Sequence, residues 1–143
     1  MNVNKKYKIG LSFGAYCPLH YGHINLFYNA KKLCEILIVC ISTDSYIKKH
    51  KHYNPPVSWN ERKFHVESIK WVDKVDRQSL IFGKKEAVAK HRPDVLLVGD
   101  DWNSETYSGM NLGVPVEFLP YTKGISSTML RENNINLQLS SLK

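Results

Sequence analysis

His20 and His23 stand three residues apart around Gly22, in the stretch His20-Tyr21-Gly22-His23. At that spacing both rings face the same way once a helix begins at the second. A helix N-terminus offers unpaired N–H groups and partial positive charge to an anion. Gly22, and Gly14 at the start of the same loop, carry no side chain and let backbone approach a phosphate. The cluster therefore reads as a phosphate cradle with two imidazole donors. Surface histidines and a metal pair are the alternatives that the spacing leaves open. Neither a Walker A loop nor a GxGxxG fingerprint is present.

Three further clusters have the right chemistry for a nucleotide. Lys48-Lys49-His50-Lys51-His52 supplies flexible ammonium groups that can follow a polyphosphate, although a solvated basic loop has the same look. Gly99-Asp100-Asp101-Trp102 offers carboxylates for a ribose hydroxyl, a base or hydrated Mg²⁺, and an indole for stacking. Its plainer reading is a turn with local Asp-to-backbone bonds. Gly124-Ile125-Ser126-Ser127-Thr128-Met129-Leu130-Arg131 places three hydroxyls at a helix start with an arginine one turn later. That makes a second anion site, or an ordinary N-cap.

These groups need a scaffold, and the chain alternates strand-like and helix-like runs. Ile9 to Phe13 reads as a strand, Gly14 to Gly22 as a loop, and His23 to Cys34 as a helix. Ile36 to Ser42 is a continuous β-branched run, as in a parallel strand buried on both faces. Thr43 to Val57, polar and basic with Pro55-Pro56, reads as a loop. Ser58-Trp59-Asn60-Glu61 has the form of a capping box, with a helix to about Lys70. A short strand at Val72 to Val75, a helix at Lys84 to His91, and strands at Val95 to Val98 and Val116 to Leu119 follow. Ser126 or Ser127 caps a last helix through Arg131. The order predicts a single α/β domain over residues 1–132, a parallel sheet with helices on both faces, and a tail over 133–143. In such sheets ligands bind at the carboxyl ends of the strands, just after Phe13, Ser42, Val98 and Leu119, where the four clusters lie.

A chain of 143 residues with 43% hydrophobic and 23% charged residues has ordinary globular composition and room for one domain. The net charge of +7 calls for anionic partners. Cys17, Cys34 and Cys40 form no CxxC pair and cannot all pair with one another, which fits a reducing cytoplasm. The longest wholly apolar run, Ile36 to Ile41, is too short to span a bilayer, so no membrane insertion is expected.

Taken together, the clusters resemble the HxGH nucleotidyltransferases, and within them the cytidylyltransferases that act on glycerol 3-phosphate. The carriers are Gly14…His20-Tyr21-Gly22-His23 and Gly124-Ile125-Ser126-Ser127-Thr128 at opposite ends. Between them lie Ile41-Ser42-Thr43-Asp44, Trp59-Asn60-Glu61-Arg62-Lys63, Trp71-Val72-Asp73 and Val98-Gly99-Asp100-Asp101-Trp102. The resemblance runs from about Lys8 to Arg131. It implies a Rossmann-like fold, a homodimer, and Mg²⁺ bound mainly through the triphosphate with no dedicated protein metal site. It implies CTP and a small phosphorylated alcohol as substrates, direct attack of the acceptor phosphate on the α-phosphorus, and release of pyrophosphate for a teichoic-acid-like or other surface polymer. His20 and His23 would be catalytic, with Lys49 and Lys51 on the phosphates and Lys48 as the alternative. Phe13, Gly14, Ala15, Gly22, Gly99, Asp100, Asp101, Trp102, Gly124, Ile125, Ser126, Ser127 and Thr128 would bind the nucleotide. Arg62, Cys17 and Tyr121 would face the acceptor.

Cys17 and Tyr121 depart from the family pattern, which has Asp and Arg there. A thiol does not replace a carboxylate beside Mg²⁺ or lysine, and Lys123 is the nearby substitute for the missing arginine. Ile81 or Phe82 stands where an indole is expected. These changes leave the histidines and hydroxyls intact and point to retained chemistry with an altered acceptor. Rival readings are an adenylyltransferase acting on a sugar phosphate, for which Arg92-Pro93-Asp94-Val95 speaks, and a basic nucleic-acid-binding module. The latter finds no helix-turn-helix, RNP-like or zinc-finger pattern. A metal-binding regulator built on His20, His23, His50 and His52 would need ligands drawn from separate loops without a thiolate pair.

Overall fold

A computed structural model describes residues 4–120 and 122–132. Five strands, β1 (Tyr7–Gly14), β2 (Cys34–Ser42), β3 (Lys74–Gln78), β4 (Val95–Gly99) and β5 (Val116–Leu119), form one sheet in the order β3-β2-β1-β4-β5. Every neighbouring pair is parallel. The helices are α1 (Tyr21–Leu33), α2 (Asp44–Lys51), α3 (Trp59–Glu67) and α4 (Lys84–His91). Residues 127–132 form a further helical turn and a half. This is the single Rossmann-like domain expected.

The continuous apolar run of β2 works because both faces of the sheet are covered. Leu37, Val39 and Ile41 pack with Phe27 and Ala30 of α1 and Val66 of α3. Ile38 and Cys40 face the other way, with Leu11, Leu96 and Ala87 of α4. Strand side chains alternate between faces, so two cores arise from one run. Phe27, Leu37, Ile41 and Leu97 are fully buried, and each such side chain contributes about 1.5–3 kcal/mol relative to exposure.

The boundaries shift where tertiary contacts decide them. Helix α1 passes into β2 without a loop, because Cys34 is already extended and buried. Strand β3 lies later than Val72 to Val75, since it is a polar edge strand that pairs only with β2. The expected loop Thr43 to Val57 instead begins with a helix. Thr43 Oγ1 accepts from the Tyr46 N–H at 3.2 Å, and His52 closes α2 in the left-handed region. Pro55-Pro56 therefore limits only the stretch beyond α2. Between β1 and β4 the strand order reverses direction, which leaves a crevice at their carboxyl ends.

Candidate active site

The crevice is a cavity of about 850 Å³. Its wall includes residues following β1, β2 and β4 and residues from the segment after β5, as the sheet rule requires.

The two histidines begin helix α1 and also cap it. His20 Nδ1 accepts from the Gly22 N–H at 3.1 Å, and His23 Nδ1 accepts from the His20 N–H at 3.1 Å. The i,i+3 spacing is that of a reciprocal capping box, with imidazoles in the usual hydroxyl and carboxylate roles. Their rings stack with centroids 3.7 Å apart and 24° between planes. An Nδ1 that accepts places the neutral ring's proton on Nε2. Burial pushes the His23 pKa down to about 3, with further lowering from His20 and Lys51. Burial also lowers that of His20. Both rings are therefore neutral Nε2–H donors near pH 7.

This alters the reading of Gly22. Its N–H is donated to His20, and a Cβ there would lie 2.9 Å from His20 Cε1. The missing side chain makes room for the His20 ring. Gly14 likewise makes room for Tyr16, whose ring a Cβ would meet at 2.5 Å. Tyr16 sits at φ 52° and sets its ring edge against His23, centroids 4.8 Å apart.

The segment after β5 packs against the loop that carries the histidines and completes the wall beside it. Gly124 turns the chain at φ 86°. Ser126 Oγ accepts from the Met129 N–H at 3.1 Å, so Ser126 is the cap. Ser127 Oγ donates to Pro18 O at 2.8 Å, and Arg131 Nη1 donates to Cys17 O at 2.5 Å. The Arg131 guanidinium also lies 4.0 Å from the Tyr53 ring centroid. Two motifs more than a hundred residues apart are thus joined around one cavity.

Of the residues singled out from sequence, Phe13, Gly14, Ala15, His20, Gly22, His23, Lys51, Gly99, Asp101, Trp102, Ile125, Ser126, Ser127 and Thr128 line the cavity. Lys49 does not. On helix α2, residues two apart point about 200° from each other, so a Lys-x-Lys pair cannot converge. Lys51 is the member that reaches the site. Although its residue surface is exposed, its pKa is lowered by desolvation first, then by Arg131 and Arg62. Asp100 lies outside the lining, and its N–H bonds Leu119 O at 2.7 Å. Gly124 acts as the turn beside the wall. Cys17 is fully buried beneath it. Tyr121 and the tail 133–143 lie outside the described residues.

Arg62 is completely buried and bonds protein groups. Its guanidinium donates to Val57 O at 3.0 Å, Ala15 O at 2.8 Å, Ser42 O at 2.6 Å and Asp44 Oδ1 at 2.6 Å. It fixes the ends of β1 and β2 relative to α2, and so acts on the site through them. Sequence reading missed Lys84, Gln78, Tyr46 and Tyr107, which also line the cavity. They belong to no compact motif; only the parallel topology brings them to one edge. Among the described residues, no group of three His, Cys, Asp or Glu is placed to hold a metal ion.

The cytidylyltransferase-like family matches residues 11–133. The chain belongs to the cytidylyltransferase-like family. It is 36% identical over 124 residues to glycerol-3-phosphate cytidylyltransferase of Bacillus subtilis (strain 168), covering 85% of this chain and 93% of that one. Against the enzyme of the same name from Staphylococcus aureus it is 34% identical, covering 85% and 91%. Ethanolamine-phosphate cytidylyltransferase of Mus musculus is 33% identical over 123 residues, covering 82% of this chain and 30% of that protein. Among solved structures, a lipopolysaccharide core biosynthesis protein from Thermoplasma volcanium superposes with TM-score 0.68 at 25% identity, covering 83% and 99%. As a member of the cytidylyltransferase-like family, the chain is a nucleotidyltransferase. Its paired histidines and the hydroxyl-bearing helix start line the same cavity.

Proposed function

We propose that the protein transfers a cytidylyl group from CTP to glycerol 3-phosphate or a closely related phosphorylated alcohol. The observation that carries this is the pair of neutral histidines whose Nδ1 atoms are held by the helix cap, which leaves Nε2–H for substrate. The relatives named for glycerol 3-phosphate support the choice of CTP and acceptor.

An acceptor phosphate oxygen forms a new bond to the α-phosphorus. The α-phosphorus bond to the bridging oxygen breaks, and pyrophosphate leaves. His20 and His23 donate to the α-phosphate oxygens as these gain charge, and donors fixed beforehand cost no reorganisation at that moment. Ser126, Ser127 and Thr128 hold the β- and γ-phosphates, with Lys51 and Arg131 as countercharges. Asp101 and Trp102 serve the nucleoside end.

Mg²⁺ fits this donor set as a partner of the triphosphate. Asp101 is the carboxylate among the described lining residues, and Mg²⁺ at phosphate sites is commonly held by one or two carboxylates together with the phosphates. When bound it supplies charge neutralisation to the leaving pyrophosphate. Homodimer assembly, a cytoplasmic location and a role in supplying a surface polymer belong to the same reading.

Pyrophosphate release with Mg²⁺ tests it, with CTP, ATP, UTP and GTP each set against a panel of phosphorylated acceptors. Turnover is expected with CTP and glycerol 3-phosphate or another polyol phosphate. Preference for ATP with a sugar phosphate, or no turnover with any pair, overturns it.

A further inference from the structure

Tyr16 breaks several local rules at once. It holds φ 52°, in the left-handed region that a bulky side chain disfavours. Gly14 has to be bare for its ring to fit, since a Cβ there would lie 2.5 Å from Tyr16 Cζ and 2.8 Å from Oη. The phenol is buried, and its hydroxyl has no hydrogen-bond partner among the described residues. A buried O–H left unpaired is destabilising. Glycine would relieve the backbone at this position, and phenylalanine would remove the unpaired hydroxyl. Strain of this kind gathers at functional sites.

The neighbours of the ring show what the strained backbone places. Tyr16 stands at 79° to the His23 imidazole with centroids 4.8 Å apart, and it packs on Phe27 at 5.4 Å. Phe27 lies one helical turn beyond His23, so the phenol leans on both through one helix face. The His23 ring has two other restraints, and both come from the start of α1. One is the bond from the His20 N–H to Nδ1 at 3.1 Å, and the other is the His20 ring stacked at 3.7 Å. A single hydrogen bond at Nδ1 fixes a point and not a plane, and the stacked ring belongs to the same helix start and moves with it. Tyr16 is the aromatic contact to His23 that comes from outside the helix. The titratable groups that act on His23 are His20 and Lys51. The Tyr16 phenol, kept protonated by burial, adds cover without charge.

We propose that Tyr16 is a positioning residue for the reaction: its ring, held against Gly14 by the strained backbone, sets the plane of the His23 imidazole so that Nε2–H meets the α-phosphate oxygens. The inference rests on the reading of His23 as a donor in cytidylyl transfer. The ring carries the role and the hydroxyl does not, so an aromatic replacement preserves it and an aliphatic one loses it. A donor misplaced by about 1 Å loses much of its hold on the transition state. Ground-state affinity does not depend on that aim, so the loss falls on kcat.

The test compares the native enzyme with Tyr16→Phe, Tyr16→Leu and Tyr16→Met. It reads kcat and KM with whichever nucleotide and acceptor support turnover, CTP affinity by calorimetry, urea midpoints, and the titration of the His23 ring protons by NMR. Tyr16→Leu and Tyr16→Met are expected to lower kcat about tenfold or more, while CTP affinity stays within about threefold of native. Their His23 rings, with less aromatic cover, titrate above the native value of about 3. Tyr16→Phe keeps kcat within about twofold of native and leaves the His23 titration where it was. Its urea midpoint is equal or higher, because the unpaired hydroxyl is gone. A kcat that survives in the aliphatic variants overturns the proposal, as does a loss shared equally by CTP affinity or one that Tyr16→Phe does not recover. Tyr16→Met, with a side chain that adapts to irregular space, covers the case in which Tyr16→Leu does not fold. If the native protein turns over no substrate pair, the transferase reading fails by itself and the His23 titration decides the contact. Movement in the aliphatic variants alone supports it, and any other pattern overturns it.

Discussion

The Nδ1 atoms of His20 and His23 are both engaged in starting helix α1, so the two groups proposed to do the chemistry are aimed by the same bonds that begin the fold's first helix. His23→Ala is expected to lower turnover about 10²- to 10³-fold, the scale for one preorganised donor, with the circular-dichroism spectrum retained. His23 also leaves a mark on acid stability. Its folded pKa is pushed down to about 3, whereas a free histidine titrates near 6.5. Between those values the unfolded chain binds a proton that the folded chain refuses. Stability contributed by this group is therefore present above pH 6.5 and is lost as pH falls toward 3, by up to about tenfold in the unfolding equilibrium per pH unit. His23→Gln keeps a capping-box side chain and removes that titration. Urea midpoints at pH 7, 5 and 4 should fall less steeply in His23→Gln than in the native protein; parallel curves would contradict the assignment.

Helix α2 shows what an element adds to a motif. In the sequence, Lys48 to His52 is an undifferentiated basic run, and Pro55-Pro56 makes it look like loop. The structure winds it from a Thr43 cap into a helix, and helical geometry then sorts the lysines, Lys51 toward the cavity and Lys49 away. Lys51→Ala should reduce turnover about tenfold or more, as loss of a partly desolvated countercharge, whereas Lys49→Ala should stay within about twofold of native; equal losses would mean that both reach phosphate. The same contrast explains what was legible. Strands β4 and β5 and helix α4 could be read almost to the residue, because apolar runs and turn residues bound them. The HxGH and Gly-Ile-Ser-Ser-Thr clusters were legible as sites because each is contiguous. Lys84, Gln78 and Tyr107 were not, since three separate segments contribute one side chain each. Arg62 was recognised as important but assigned to the ligand, because sequence alone does not tell a buried guanidinium from an exposed one.

For the molecule as a whole, Arg62 is the point where the ends of β1, β2 and α2 are tied together. Removing its side chain leaves Ala15 O and Ser42 O without their charged donor, and buried acceptors left unpaired cost about 1–3 kcal/mol each. Arg62→Ala should therefore lose about 3 kcal/mol or more of stability in urea titrations, and Arg62→Lys should recover little of it because an ammonium cannot span four acceptors. A variant as stable as the native chain would return Arg62 to a direct ligand role. The strand order β3-β2-β1-β4-β5 also has a consequence in time. As the polypeptide leaves the ribosome, β1, β2 and β3 can pair once residue 78 is out, but the other edge of β1 waits for β4 at Val95–Gly99. During that interval the central strand of the finished sheet is an open edge, the kind of surface on which nascent chains mispair. The crevice proposed to hold the substrates lies along that same late seam, so this cavity is among the last parts of the protein to come into existence.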